Sequence, residues 1–153
     1  MRTHILLPAA LLVQGCSMLA PRDPVAARVS SEVALSDRRM QESMTLSRLA
    51  AIERSLNDFI QAKRRIPQAL DELVPEFLAE IPEVVLGIRG INDTRSVRRY
   101  PPETIQDGQI NGALLDNTGG WGYVYNRDQV IVFVDSTAKR LDGSLWYKAR
   151  GVY

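Results

Sequence analysis

Apolar residues recur at three- and four-residue steps through the middle of the chain and switch to alternation near its end. Leu46, Leu49, Ile52, Leu56, Phe59 and Ile60 form one stripe at helical spacing, which predicts a helix lying against a core. Upstream, Val25, Val29, Val33, Met40 and Met44 make a narrower stripe, interrupted by Ser36 and Asp37 and surrounded by Arg28, Glu32, Arg38, Arg39 and Glu42. That half is too polar to be buried all round, so it is expected to protrude or to pack lightly on a partner helix. Asp23-Pro24 is a good helix start, Asp as N-cap and Pro at the first helical position. From there to Arg64 no Gly and no further Pro intervenes. A continuous helix over 24–64 would extend about 60 Å at 1.5 Å per residue, while a break near Ser30-Ser31 would leave a shorter helix with a frayed leader. Lys63-Arg64-Arg65 suits a helix C-terminus. Ile66-Pro67 stops the helix, because the residue before Pro is pushed away from helical angles.

Beyond the stop, Gln68 to Val74 supports a short second helix with Leu70, Leu73 and Val74 inward. Pro75 and Pro82 bracket a further turn, and Val84 to Ile88 reads as a first strand. The polar stretch from Gly90 to Gly112 reads as a solvated loop, with Arg95, Arg98 and Arg99 offering an acidic partner surface as the alternative. After Gly119-Gly120, Trp121, Tyr123 and Tyr125 alternate with Gly122, Val124 and Asn126, and Val130 to Val134 is a β-branched run. The two predict an antiparallel hairpin turning at Asn126-Arg127-Asp128-Gln129. Ser144 to Ala149 would add another strand after the Asp142-Gly143 turn. The expected class is α+β: one long N-terminal helix packed on a small antiparallel sheet spanning about 84–149.

The chain has 153 residues, room for one domain with a real core. Its 19 basic and 18 acidic side chains give no basic excess, so no nucleic-acid partner is expected. One cysteine and one histidine are present, Cys16 and His4. Arg2 followed by the apolar run Ile5 to Val13 is too short to span a bilayer and fits a signal-peptide core. Val13-Gln14-Gly15-Cys16 then resembles the lipobox of bacterial lipoproteins, although Gln14 departs from the small or β-branched residue usual at its place. That resemblance implies a signal peptide over 1–15, acylation (palmitate among the acyl chains) of Cys16 as the new N-terminus, and a tether over 16–23. The domain proper would then span 24–153. An ordinary secretory signal is the competing reading. Ser17, standing where a retention signal would place Asp, favours the outer over the inner membrane. Loss of residues 1–15 removes His4, and acylation consumes Cys16. A protein so processed has no imidazole and no free thiol, which removes serine triads, Cys–His pairs and histidine-ligated metals. No catalytic residue is expected, and the chain is not read as an enzyme.

The order of its pieces also resembles that of type II secretion pseudopilins, which have the type IV pilin fold. The likeness rests on the spine-like helix, Ile66-Pro67-Gln68-Ala69-Leu70-Asp71-Glu72-Leu73-Val74-Pro75-Glu76-Phe77-Leu78, Ile81-Pro82, Asn117-Thr118-Gly119-Gly120-Trp121 and Tyr123-Val124-Tyr125-Asn126. It covers roughly Leu46 to Trp146, apart from 90–112. It implies structural roles for Pro67, Gly119, Gly120 and Trp121. Pro67 would turn the chain off the helix, and the two glycines would let Trp121 reach the core beside Leu56 and Phe59. The family's major member binds calcium in a loop near its C-terminus, which carries over to Asp135 and Asp142 as ligands, with the Leu141 carbonyl beside them; both aspartates also suit plain turns. No other cofactor is implied. One departure is plain: the prepilin-peptidase site and the long apolar segment of the fibre core are missing, and charges occupy Pro24 to Met44. The expectation is therefore a periplasm-facing, lipid-anchored envelope protein with a pseudopilin-like head, assisting a secretion or pilus assembly machine. An envelope binding or structural lipoprotein outside secretion is the alternative.

Overall fold

The computed structural model describes residues 23–151. The expected signal peptide, Cys16 and the tether up to Arg22 lie outside the described residues.

A single helix, α1, runs without interruption over Pro24–Lys63, 40 residues. Its start is capped as its composition predicts. The Asp23 side chain accepts the Val25 N–H at 2.9 Å, and Pro occupies the first turn. The Ser30-Ser31 pair does not break it: both hydroxyls bond back to carbonyls in the preceding turn, Ala26 and Arg28. Arg64 closes α1 in a left-handed conformation, φ 57°, its N–H returning to the Ile60 carbonyl.

Three strands form the main sheet, β1 (Val97–Arg99), β4 (Trp121–Tyr125) and β5 (Val130–Val134), in the order β1-β4-β5. A two-stranded ribbon, β2 (Ile105–Gln106) with β3 (Gln109–Ile110), stands apart. The hairpin β4–β5 is antiparallel, Trp121 opposite Val134 and Tyr125 opposite Val130, and the class is α+β. The sheet, however, is mixed and not antiparallel throughout: β1 pairs parallel to β4, with Val97 beside Trp121 and Arg99 beside Tyr123. This strand arises inside the stretch read as a solvated loop. Arg98 and Arg99 are exposed and only Val97 turns partly inward, so three residues at a sheet edge leave almost no periodic signal.

Two further strand expectations fail for identifiable reasons. At 84–88 only one bridge forms, Val84 with Thr94, because Gly87 (φ 62°) turns the chain away and the Val85 amide group is taken by α1. At 144–149 a 3-10 turn over Trp146–Lys148 replaces the strand; Trp146 and Tyr147 are aromatic and buried, but their N–H groups donate singly to the Ala138 and Ser136 carbonyls and build no ladder. The second short helix is likewise a 3-10 turn, Leu70–Leu73, with both leucines inward as expected.

The core follows from these faces. Leu49, Ile52, Leu56 and Phe59 of α1 meet Leu70, Leu73, Trp121, Tyr123, Val132, Val134 and Trp146. At about 1.5–3 kcal/mol for each large side chain fully buried, this cluster is the main stabilising mass. The opposite sheet face carries Val124 and Phe133, packed with Tyr100, Ile110, Leu115 and Tyr147. Alternation along β4 and β5 divides residues between the two clusters.

Candidate functional site

Gly119 and Gly120 lead directly into Trp121 at the start of β4, and Pro67 is joined to the same strand through Tyr123. Pro67 is buried where the chain leaves α1, and its carbonyl accepts the Tyr123 hydroxyl at 2.6 Å. Gly119 adopts φ 77°, where a side chain is strained, and a Cβ there would meet Ile91. At Gly120 a Cβ would collide with Ser96 at the head of β1. The bare backbone is what lets Trp121 donate its N–H to the Ser96 carbonyl at 2.9 Å. Trp121 itself is fully buried in the cluster that holds Leu56 and Phe59, its indole N–H donating to the Pro82 carbonyl at 2.7 Å. Tyr123 and Tyr125 pack ring to ring at 5.8 Å.

Asp135 closes the same region and is fully buried. Its carboxylate accepts the Asn117 N–H (3.2 Å), the Thr118 N–H (3.0 Å) and the Thr118 hydroxyl (2.6 Å). Its own backbone bridges Gly119 and Gly120. Asn117, left-handed at φ 58°, extends the knot by accepting from Thr137 N–H at 2.6 Å. Both oxygens of Asp135 are therefore already engaged within the chain, as a clasp between the glycine turn and the end of β5. Asp142 belongs to another place. It accepts from the Ser144 N–H and hydroxyl (2.9 and 2.6 Å) and pairs with Arg140 at 3.0 Å. The Ser144 hydrogen bonds, then Arg140, hold its carboxyl below the usual range. Among the described residues no group of three or more His, Cys, Asp or Glu side chains is placed to hold a metal ion. The two aspartates suggested for calcium thus serve a buried clasp and an exposed turn.

One buried charge gave no warning in the sequence. Glu42, 6% exposed on α1, accepts the Leu141 N–H at 2.8 Å and lies 3.7 Å from Arg38 and 3.9 Å from Arg140. It fastens the 139–142 loop to the helix. Its position in a polar half-helix looks solvated, and only the returning loop buries it.

Three carboxylates in the stretch after α1 and the arginines of 90–112 are each paired. Glu72 meets Arg65 at 2.6 Å, Glu76 meets Lys63 at 2.9 Å, and Glu80 meets Arg95 at 2.5 Å. Arg98 pairs with Asp116 at 2.7 Å, and Arg99 donates to the Tyr125 hydroxyl at 2.8 Å. The three arginines of the 90–112 stretch therefore each have their own partner. An open groove of about 390 Å³ lies between α1 and β5, lined by Leu56, Ile60, Val130 and Val132 with Glu53 and Arg150.

The remaining distinctive surface is the first half of α1. Val25, Val29, Val33, Met40 and Met44 are all exposed, Met40 by 57% and Val29 by 54%. No described helix is long and apolar enough to cross a membrane. Comparison of the chain with protein-family models, with curated proteins and with solved structures finds no match.

Proposed function

We propose that this chain is a lipid-anchored envelope protein whose pseudopilin-like head serves as a structural or accessory part of a type II secretion or type IV pilus-like machine. The observation that supports the reading is a 40-residue helix followed by a buried Pro67, with Trp121 buried in the helix-facing core behind Gly119-Gly120. These are among the pieces on which the likeness to pseudopilins rests. The lipobox-like Val13-Gln14-Gly15-Cys16 supports an acyl anchor at Cys16, and two or three acyl chains hold a protein firmly at a bilayer.

Arg28, Glu32, Asp37, Arg38 and Arg39 on the first half of α1 favour an adaptor over a polymerising subunit, since charges are costly inside an apolar fibre axis. The dispersal of the acidic side chains into ion pairs supports a scaffold over an enzyme.

Two measurements test the proposal. Metabolic labelling with a radioactive fatty acid should mark the wild type and not Cys16→Ala; an unlabelled wild type removes the anchor. Co-purification after gentle membrane solubilisation should recover secretion or pilus components. Recovery of an intact machine without this protein would leave an envelope lipoprotein outside secretion as the better reading.

A further inference from the structure

The core-facing stripe of α1 continues past the core as polar residues. Reading back from Phe59, Leu56, Ile52 and Leu49, steps of three and four lead to Thr45, Glu42 and Arg38, which therefore lie on the same side of the helix. Each bonds the backbone of a returning loop. Arg38 donates to the Lys139 carbonyl at 3.1 Å, Glu42 accepts the Leu141 N–H at 2.8 Å, and Thr45 bonds Val85. Arg48, one turn beyond Thr45, donates to the Glu83 carbonyl at 2.8 Å. Two loops, at 83–85 and 139–141, thus form a polar collar on α1.

Toward the N-terminus from the collar, α1 is exposed on every side. No residue from Asp23 to Asp37 is even half-buried, and Arg38 is the first of α1 to bond outside the helix among the described residues. No ion pair among them falls before Arg38. The first turn holds no acid to offset the helix dipole. Three valines, three serines and Asp37 fill half of the 14 positions from Pro24 to Asp37 with modest helix formers. Ser30 and Ser31 also bond back to carbonyls of their own helix. A helix of this length without tertiary contacts is marginal in water. Here the collar supplies the nucleus, and the helix propagates from it residue by residue against an open chain of nearly equal free energy.

We infer that α1 is two thermodynamic units joined at this collar: residues 38–63 stay helical with the head, and 24–37 open and close on their own while the head remains folded. The arm so formed changes length. Its 14 residues span about 21 Å as a helix and reach up to about 46 Å when open. The head can therefore sit at a variable distance from whatever holds the chain before Asp23, and the collar sets where that variation stops. This holds whether or not Cys16 carries a lipid.

Amide hydrogen exchange of the full chain in a non-ionic detergent, read by mass spectrometry, tests this. Amides of 24–37 should be protected at most about tenfold, and those of 49–60 at least about a thousandfold. Glu42→Ala should carry the loss of protection into 38–45, on the order of tenfold, and leave 52–60 unchanged. Ser30→Ala/Ser31→Ala should raise the protection of 24–37 severalfold without moving the unfolding of the head, followed by the fluorescence of Trp121 and Trp146, both buried in the core. The two serines lie in the exposed arm, so this variant decides the matter even if Glu42→Ala does not fold. Equal protection of 24–37 and 49–60 in the wild type would show one cooperative helix and overturn the inference. So would a double serine variant that shifts the fluorescence transition, or a folded Glu42→Ala with 38–45 protected as in the wild type.

Discussion

The hydroxyl of Thr45 occupies both hydrogen-bonding groups of Val85, donating to its carbonyl at 2.6 Å and accepting from its N–H at 3.0 Å. A residue of α1 thus takes the place of a neighbouring strand at Val85, and the segment at 84–88 joins no sheet. Thr45 is fully buried, so water does not replace it.

Thr45→Val keeps the shape and removes both bonds. Leaving a buried N–H and carbonyl without partners should lower stability by about 2–4 kcal/mol, read as a shift of the urea midpoint at unchanged slope. Thr45→Ser keeps the hydroxyl and should lose clearly less. Equal losses for the two variants would mean that methyl packing, and not the paired hydrogen bonds, holds the segment.

Gly122 sits on β4 directly across from Phe133, whose ring fills the space a Cβ would need. Gly122→Ala should therefore destabilise by about 1–3 kcal/mol through overpacking, although alanine usually suits a strand no worse than glycine. In thermal unfolding the double variant Gly122→Ala/Phe133→Leu should recover part of the Gly122→Ala loss relative to Phe133→Leu alone. Strict additivity would place the strain elsewhere.

Burial raises the pKa values of Tyr100 and Tyr123 above the usual tyrosine value; at Tyr100 the nearby Asp135 adds to the rise, while the N–H donated by Asp116 opposes it. The folded state holds these phenols neutral, and the unfolded chain ionises them at about pH 10. Their contribution is fully present below pH 10 and is lost as pH rises beyond it. Phenolate absorbance should show the two rings silent in the folded protein through pH 10–11 and ionising together with unfolding, at a midpoint that moves later in Tyr123→Phe only if that ring drives the transition. Smooth titration of every tyrosine near pH 10 without loss of structure would contradict the burial argument.

The Asp135 clasp makes a further separable statement. Millimolar calcium should leave Tm unchanged, because the carboxylate oxygens already accept from Asn117 and Thr118. Asp135→Ala strands those donors in a buried site and should lower stability by about 2–4 kcal/mol. A calcium-dependent rise in Tm that Asp135→Ala or Asp142→Ala abolished would return both residues to a metal loop.

How far the chain could be read in advance depended on the range over which each signal acts. Helix α1 was legible from Asp23 to its stop before Pro67 because caps, breakers and 3.6-residue spacing are local. The β4–β5 hairpin was legible for the same reason, its alternation and turn lying within fifteen consecutive positions. Burial of Trp121 behind Gly119-Gly120 followed from the bare backbone those positions offer. Of the site residues, Pro67 and Trp121 are buried and Gly119 and Gly120 leave no room for a side chain, whereas Asp135 and Asp142 lie in different places.

By itself, then, the sequence determined the long helix, the hairpin, the α+β class and the apolar faces that must be hidden. Tertiary structure alone decided the rest. Parallel pairing of β1 with β4 joins residues 24 positions apart with a single half-buried valine as its mark. Replacement of a strand partner by the Thr45 hydroxyl and burial of Glu42 under Leu141 depend on segments 40 and 99 positions away. A polar side chain's sequence neighbours set its helix propensity, but only the chain that comes back over it determines whether water can reach it.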